Sequence, residues 1–189
     1  MFTFYPVTGL ALSLGNSIIY DYDHIHPVYL IPVMFFKAVD HNLTAYINNM
    51  NSQMFFDISS KNLKHFHFYS TLFLDELAVK RITDPDQHNF ASYKGGVRIS
   101  ELIPNFFAGS EYTITNALTF KHFVPTTTFE SNHYNLGHYL TDNANELFIM
   151  AGYKPFRNMM LQVLYTHALK GPDHNELGTM PRETIKSFT

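Results

Sequence analysis

Leu10-Ala11-Leu12-Ser13-Leu14-Gly15-Asn16-Ser17-Ile18-Ile19-Tyr20-Asp21 decides how this chain is read. Alternate positions carry Leu10, Leu12, Leu14, Asn16, Ile18 and Tyr20, while the set between them is Ala11, Ser13, Gly15, Ser17, Ile19 and Asp21. A period of two marks an extended strand with one apolar face and one small or polar face. The rule repeats along the chain. Tyr93, Val97 and Ile99 oppose Lys94, Gly96 and Arg98, and Ala108, Tyr112 and Ile114 oppose Gly109, Glu111 and Thr113. Leu147, Ile149 and Tyr153 oppose Glu146, Phe148 and Met150, and Leu161, Val163 and Tyr165 oppose Met160, Gln162 and Thr166. Gln53–Ser59 and His65–Glu76 follow it less tidily, with Asp57 and Asp75 on the faces opposite Phe56 and Leu74.

About eight strands result, and their connections alternate in length. Pro6–Gly9, Ser60–Lys64, Ile103–Asn105 and Pro155–Asn158 are tight; Tyr22–Ser52, Leu77–Asn89, Phe120–Asn145 and a last one near Lys170–Pro181 are long. A soluble sandwich has no reason to gather its tight turns at one end. An up-and-down transmembrane β-barrel does, with short periplasmic turns and long outer loops. The expected fold is therefore all-β: an antiparallel barrel segment, with short helical pieces in the Tyr22–Ser52 connection, where apolar residues recur at helical spacing.

Composition agrees with that expectation. Aromatic residues make up 16% of the 189, from 18 Phe and 12 Tyr without Trp, and only 15% are charged. Average soluble domains carry about 25% charged residues. Mean hydropathy is −0.11, as expected where only alternate residues face lipid. The most apolar run, Pro27–Phe36, holds two prolines and is far shorter than the roughly twenty residues of a membrane helix. The sparse polar faces, Gly, Ser and Thr with isolated Lys94, Arg98, Glu111 and Glu146, suit a crowded lumen. Tyr20, Tyr93, Tyr112, Tyr153 and Tyr165 fall on apolar faces, as in interfacial aromatic girdles, although tyrosine favours any sheet.

Net charge −3 and the absence of a basic run argue against a nucleic-acid partner, and a chain without cysteine has no thiol chemistry. Met1-Phe2-Thr3-Phe4-Tyr5 lacks the features of a signal peptide, and a further strand begins near Arg182 before the chain ends at Ser187-Phe188-Thr189. Residues 1–189 are thus expected to be one barrel segment that continues beyond both ends. The lumen residues are Lys94, Arg98, Glu111 and Glu146. Glu111 and Glu146 could be imagined as a glycosidase pair, but among Lys94, Arg98 and Lys154 they read as a salt-bridge network, and no enzyme is expected. His24 with His26, and His65 with His67, would share a face if extended. A third ligand such as Asp57 or Asp75 would have to come from elsewhere, so no metal is expected.

Tyr29-Leu30-Ile31-Pro32, Phe73-Leu74-Asp75-Glu76, Glu111-Tyr112-Thr113 and Leu136-Gly137-His138-Tyr139, with Lys121-His122 between the last two, resemble the Wzi-type capsule-assembly family of outer-membrane barrels. The chain departs from that family's pattern at Ala117, where a proline is expected. The resemblance implies a monomeric barrel in the cell outer membrane, in contact with its lipid, that assembles or attaches capsular polysaccharide or exopolysaccharide without a cofactor. It directs attention to Glu130, Asn132, His133, Tyr134, His138, Tyr139, Asp142 and Asn143 as a polysaccharide-binding outer loop. Aromatic faces cover sugar rings there, and amides and carboxylates bond sugar hydroxyls. Many plain outer loops share that composition. The alternatives are a passive outer-membrane pore and a soluble β-sandwich carbohydrate-binding module.

Overall fold

A computed structural model describes residues 1–21, 27–31, 34–43, 50–76, 89–122 and 124–172. The strands are β1 (Phe2–Val7), β2 (Leu10–Tyr20), β3 (Met50–Ser60), β4 (Phe66–Glu76), β5 (Phe90–Ser100), β6 (Phe106–Thr115), β7 (Glu130–Ser131), β8 (Tyr134–Asn135), β9 (Ala144–Phe156) and β10 (Met159–Lys170). One helix, α1 (Phe36–Leu43), and a 3₁₀ turn at Pro27–Leu30 lie in the connection before β3.

Eight strands form a single antiparallel meander in the order β1-β2-β3-β4-β5-β6-β9-β10, and β7 and β8 make a separate hairpin within the β6–β9 connection. The tight turns return the chain beside the strand it left, which sets β1–β2, β3–β4, β5–β6 and β9–β10, and the long connections also join neighbours. The strands β1 and β10 are the two edges of the sheet and do not pair with each other, so the sheet is open. Only one sheet of any size is present among the described residues, and its faces are set by register. Leu12 pairs with Ile58, Ile58 with Ser70, Ser70 with Gly95, Gly95 with Tyr112, Tyr112 with Leu147, and Leu147 with His167. We call this the outer face. The neighbouring positions Ser13, Asp57, Thr71, Lys94, Thr113, Glu146 and Ala168 share the inner face.

The four tight connections gather at one end of the sheet and bond to one another or to neighbouring strand ends. Lys61 N–H donates to the Gly9 carbonyl at 2.7 Å, Ser100 N–H to His65 O at 2.9 Å and Lys154 N–H to Asn105 O at 3.0 Å. Gly9 takes φ +82° and Asn105 takes +63°, a left-handed conformation that glycine and asparagine reach at low cost. The long connections leave from the opposite end.

Strand limits differ from the sequence expectation at two places. The polar pair Asn51-Ser52 reads as loop, yet it lies within β3, buried, next to Gln53, whose Oε1 accepts from Ser17 at 2.8 Å. The strand β6 ends at Thr115, short of Phe120, where the sequence puts the start of the long connection. Asn116 N–H bonds the Ala91 carbonyl at 3.0 Å, Leu118 adopts φ +61°, and the chain turns off the ladder. The buried aliphatic and aromatic core is small and sits at the long-connection end of the inner face, where Phe73, Phe120 and Phe129 pack with Ile19 and Phe55.

Candidate functional site

On the inner face the polar side chains pair across strands. Tyr69 donates to Glu111 Oε2 at 2.7 Å, Lys94 Nζ stands 3.1 Å from Glu111 Oε1, and the Arg98 guanidinium lies 5.2 Å from the centre of the Tyr69 ring. Gly96 makes this possible: any Cβ there would collide with the Tyr69 ring. Thr71 donates to Asp57 at 2.6 Å, and Ser59 and His67 are hydrogen-bonded at 2.8 Å. Lys94, Arg98, Glu111 and Glu146 do share one face, as alternation predicts, and three of them form one network around Tyr69.

The β6–β9 connection does not stand away from the sheet. It turns back and packs across the inner face. Phe129 lies 5.0 Å from Phe73, and Phe120 lies 5.2 Å from Phe73, ring centre to ring centre. Asn51 Nδ2 donates to the Thr127 carbonyl at 3.3 Å, tying the connection to β3. Asp142 Oδ1 accepts the Phe120 N–H at 2.7 Å, and Phe129 N–H donates to Phe120 O at 2.9 Å, so the connection is also closed on itself. Such satisfied backbone groups allow a loop to lie buried.

Between connection and sheet lies a cavity of about 690 Å³. Glu146, on β9, reaches it and binds two side chains of the connection. Tyr139 donates to Oε1 at 2.7 Å, and His138 Nε2 is 2.9 Å from Oε2. Burial lowers the His138 pKa, against the pull of Glu146, so the ring is neutral at pH 7. The tautomer follows: Leu140 N–H points at Nδ1 from 3.4 Å, leaving Nε2–H to donate to Glu146. The same bond raises the Tyr139 pKa.

The residues expected to bind polysaccharide divide into three groups. Glu130, Asn132, His133 and Tyr134 are exposed on the β7–β8 hairpin, whose tip is formed by Asn132 (φ +51°) and His133 (φ +66°). His138 and Tyr139 line the cavity. Asp142 and Asn143 are buried; Asn143 Nδ2 donates to Pro172 O at 3.2 Å and Asp142 holds the Phe120 amide. Three of the four segments that carry the family resemblance meet at the cavity, through Phe73, through Glu111 and Thr113, and through Leu136 to Tyr139.

Sequence reading did not find Phe55, Phe120, Phe129 and Phe148 as cavity walls. Alternation placed Phe55 and Phe148 on the inner face, but no local signal says that a connection covers them. Among the histidines, His65 lies in a turn at φ +70° with Nδ1 at 2.9 Å from the Ser100 carbonyl, so it does not share a strand face with His67. No group of three metal-ligating side chains occurs among the described residues. His24, His26 and the strand expected from Arg182 lie outside them. Glu111 and Glu146 occupy adjoining inner-face positions on β6 and β9, but each is already engaged, by Lys94 with Tyr69 and by His138 with Tyr139. No known protein family, characterised protein or solved structure matches this chain.

Proposed function

We propose that this chain is part of an outer-membrane β-barrel of the Wzi type that helps assemble or attach capsular polysaccharide or exopolysaccharide at the cell surface, without enzymatic chemistry. One observation carries the membrane part of this reading. Along the regular registers of β2–β6, β9 and β10 the outer face bears no Asp, Glu, Lys or Arg, and its large apolar side chains are open to the surroundings. Ile58 is 51% exposed, Val163 71% and Tyr165 53%. Monomeric soluble proteins rarely expose contiguous apolar patches above a few hundred Å². In a bilayer the same face is buried in lipid, and the alternation of tight and long connections matches the two sides of such a barrel.

The polysaccharide part is supported by the four family-like segments and by the exposed Glu130, Asn132, His133 and Tyr134 at the long-connection end. Against a passive pore stands the β6–β9 connection, whose aromatic clip occupies the inner face at that end. The test is retention of surface polysaccharide. Asn132→Ala, Tyr134→Ala and Tyr139→Ala together are expected to lower retention several-fold at unchanged protein abundance in the outer membrane. Normal retention would remove the polysaccharide part of the reading, and recovery of the native protein from the soluble fraction would remove the membrane part.

A further inference from the structure

We infer that the cavity between the β6–β9 connection and the inner face binds a short run of neutral sugar residues, and that it discriminates against acidic ones. The inference rests on the polysaccharide reading and names the ligand class and the place. About 690 Å³ falls within the roughly 300–1,000 Å³ of small-ligand sites. The volume fits a few sugar rings. Phe55, Phe148 and Tyr139 offer ring faces for the apolar side of a sugar, and Thr113 and Thr166 offer hydroxyls that can donate or accept.

Charge decides between ligand classes. The cavity holds two carboxylates, Glu111 and Glu146, against one ammonium, Lys94, which is already 3.1 Å from Glu111; the imidazole of His138 adds no charge. An acidic sugar would bring a further negative charge into a partly enclosed site with no uncommitted cation among the described lining residues, at a cost that grows as the local dielectric falls. Glu111 is balanced by Lys94, and Glu146 is held by two hydrogen-bond donors. Each carboxylate retains acceptor sites beyond those contacts, because a carboxylate offers about four lone-pair positions. Such directional acceptors suit hydroxyl groups. The exposed Leu136 and Tyr139 form a rim on the long-connection side, where a surface glycan would arrive.

The experiment is calorimetric titration of the full-length protein in detergent micelles with maltotetraose, mannotetraose, galactotetraose and tetragalacturonate. At least one neutral probe is expected to bind tenfold or more tighter than tetragalacturonate. Thr166→Trp, which fills the cavity from the edge strand, should weaken that probe tenfold or more. Glu111→Gln with Glu146→Gln should reduce the discrimination against tetragalacturonate to under threefold. The inference is overturned if the acidic probe binds as well as the neutral ones, if no neutral probe binds, or if Thr166→Trp leaves affinity intact. Retention separates this inference from the reading beneath it. Cells lacking the protein that keep their polysaccharide refute the reading, whereas cells that lose it but keep it with Thr166→Trp refute the cavity alone.

Discussion

The ring centres of Phe73, on β4, and Phe129, in the β6–β9 connection, lie 5.0 Å apart at an interplanar angle of 51°. Phe120 completes the cluster, and Phe73, Phe120 and Phe129 are all buried. That contact is what turns a long connection into a cover over the inner face, because the surrounding hydrogen bonds lie mostly within the connection.

Phe129→Ala should therefore release the connection before it harms the sheet. Truncating a buried Phe costs about 3–5 kcal/mol, most of which falls here on docking rather than on strand pairing. Protease cleavage between Asn116 and Asn143 is expected to rise by an order of magnitude or more, with β-sheet circular dichroism retained. Simultaneous loss of both signals would show that connection and sheet fold as one unit.

Arginine on the outer face should block membrane insertion. If the outer face meets lipid as proposed, Val97→Arg and Ile149→Arg put a cation there at a cost of about 2–4 kcal/mol near the bilayer midplane. The inner-face control is Thr166→Arg. Gly96 is unsuitable for that role because Tyr69 occupies the space its side chain would need. Membrane fractionation should recover the control and lose the two outer-face variants; equal recovery of all three would refute lipid contact.

The two ends of the sheet should differ in accessibility on intact cells. The native chain has no cysteine, so single replacements report cleanly. Asn132→Cys, at the exposed hairpin tip, should react with an impermeant maleimide in full-length protein. Asn62→Cys and Asn158→Cys, in the tight turns, should react only after lysis. The reverse pattern would invert the orientation.

Acid should loosen the connection. Burial holds the His138 pKa in the folded protein below its ordinary value of 6.5, with Glu146, Lys94 and Glu111 the charged groups around it. Above that ordinary value the folded and released forms are both neutral and docking is unaffected. As pH falls below it, the released form takes up a proton that the docked form resists, and docking stability is lost. Hydrogen exchange of the 116–143 amides should quicken between pH 7 and pH 5 relative to amides of β5 and β6. His138→Asn should flatten that dependence; an unchanged profile in the variant would assign it to another group.

Periodicity and turn spacing are local properties of the backbone. For that reason Leu10–Asp21, Ala91–Leu102 and Met159–Leu169 were legible as strands to within two residues, as were the tight turns and the common face of Lys94, Arg98, Glu111 and Glu146. Asn51-Ser52 was not legible as strand, because Asn51 is tied to Thr127, a partner far along the chain in the β6–β9 connection. Nor was the end of β6 at Thr115, set by a backbone bond from Asn116 to Ala91.

The sequence by itself determined an all-β meander with one apolar face, since side chains alternate sides in an extended chain whatever surrounds them. Only the tertiary structure decided where the longest described connection lands. Its route depends on Phe120 and Phe129 finding Phe73, and on His138 and Tyr139 finding Glu146. Those contacts join segments with no shared period, and closing them costs entropy that only packing repays. The candidate site lies in the space so enclosed, which is why its walls could not be read from any one segment.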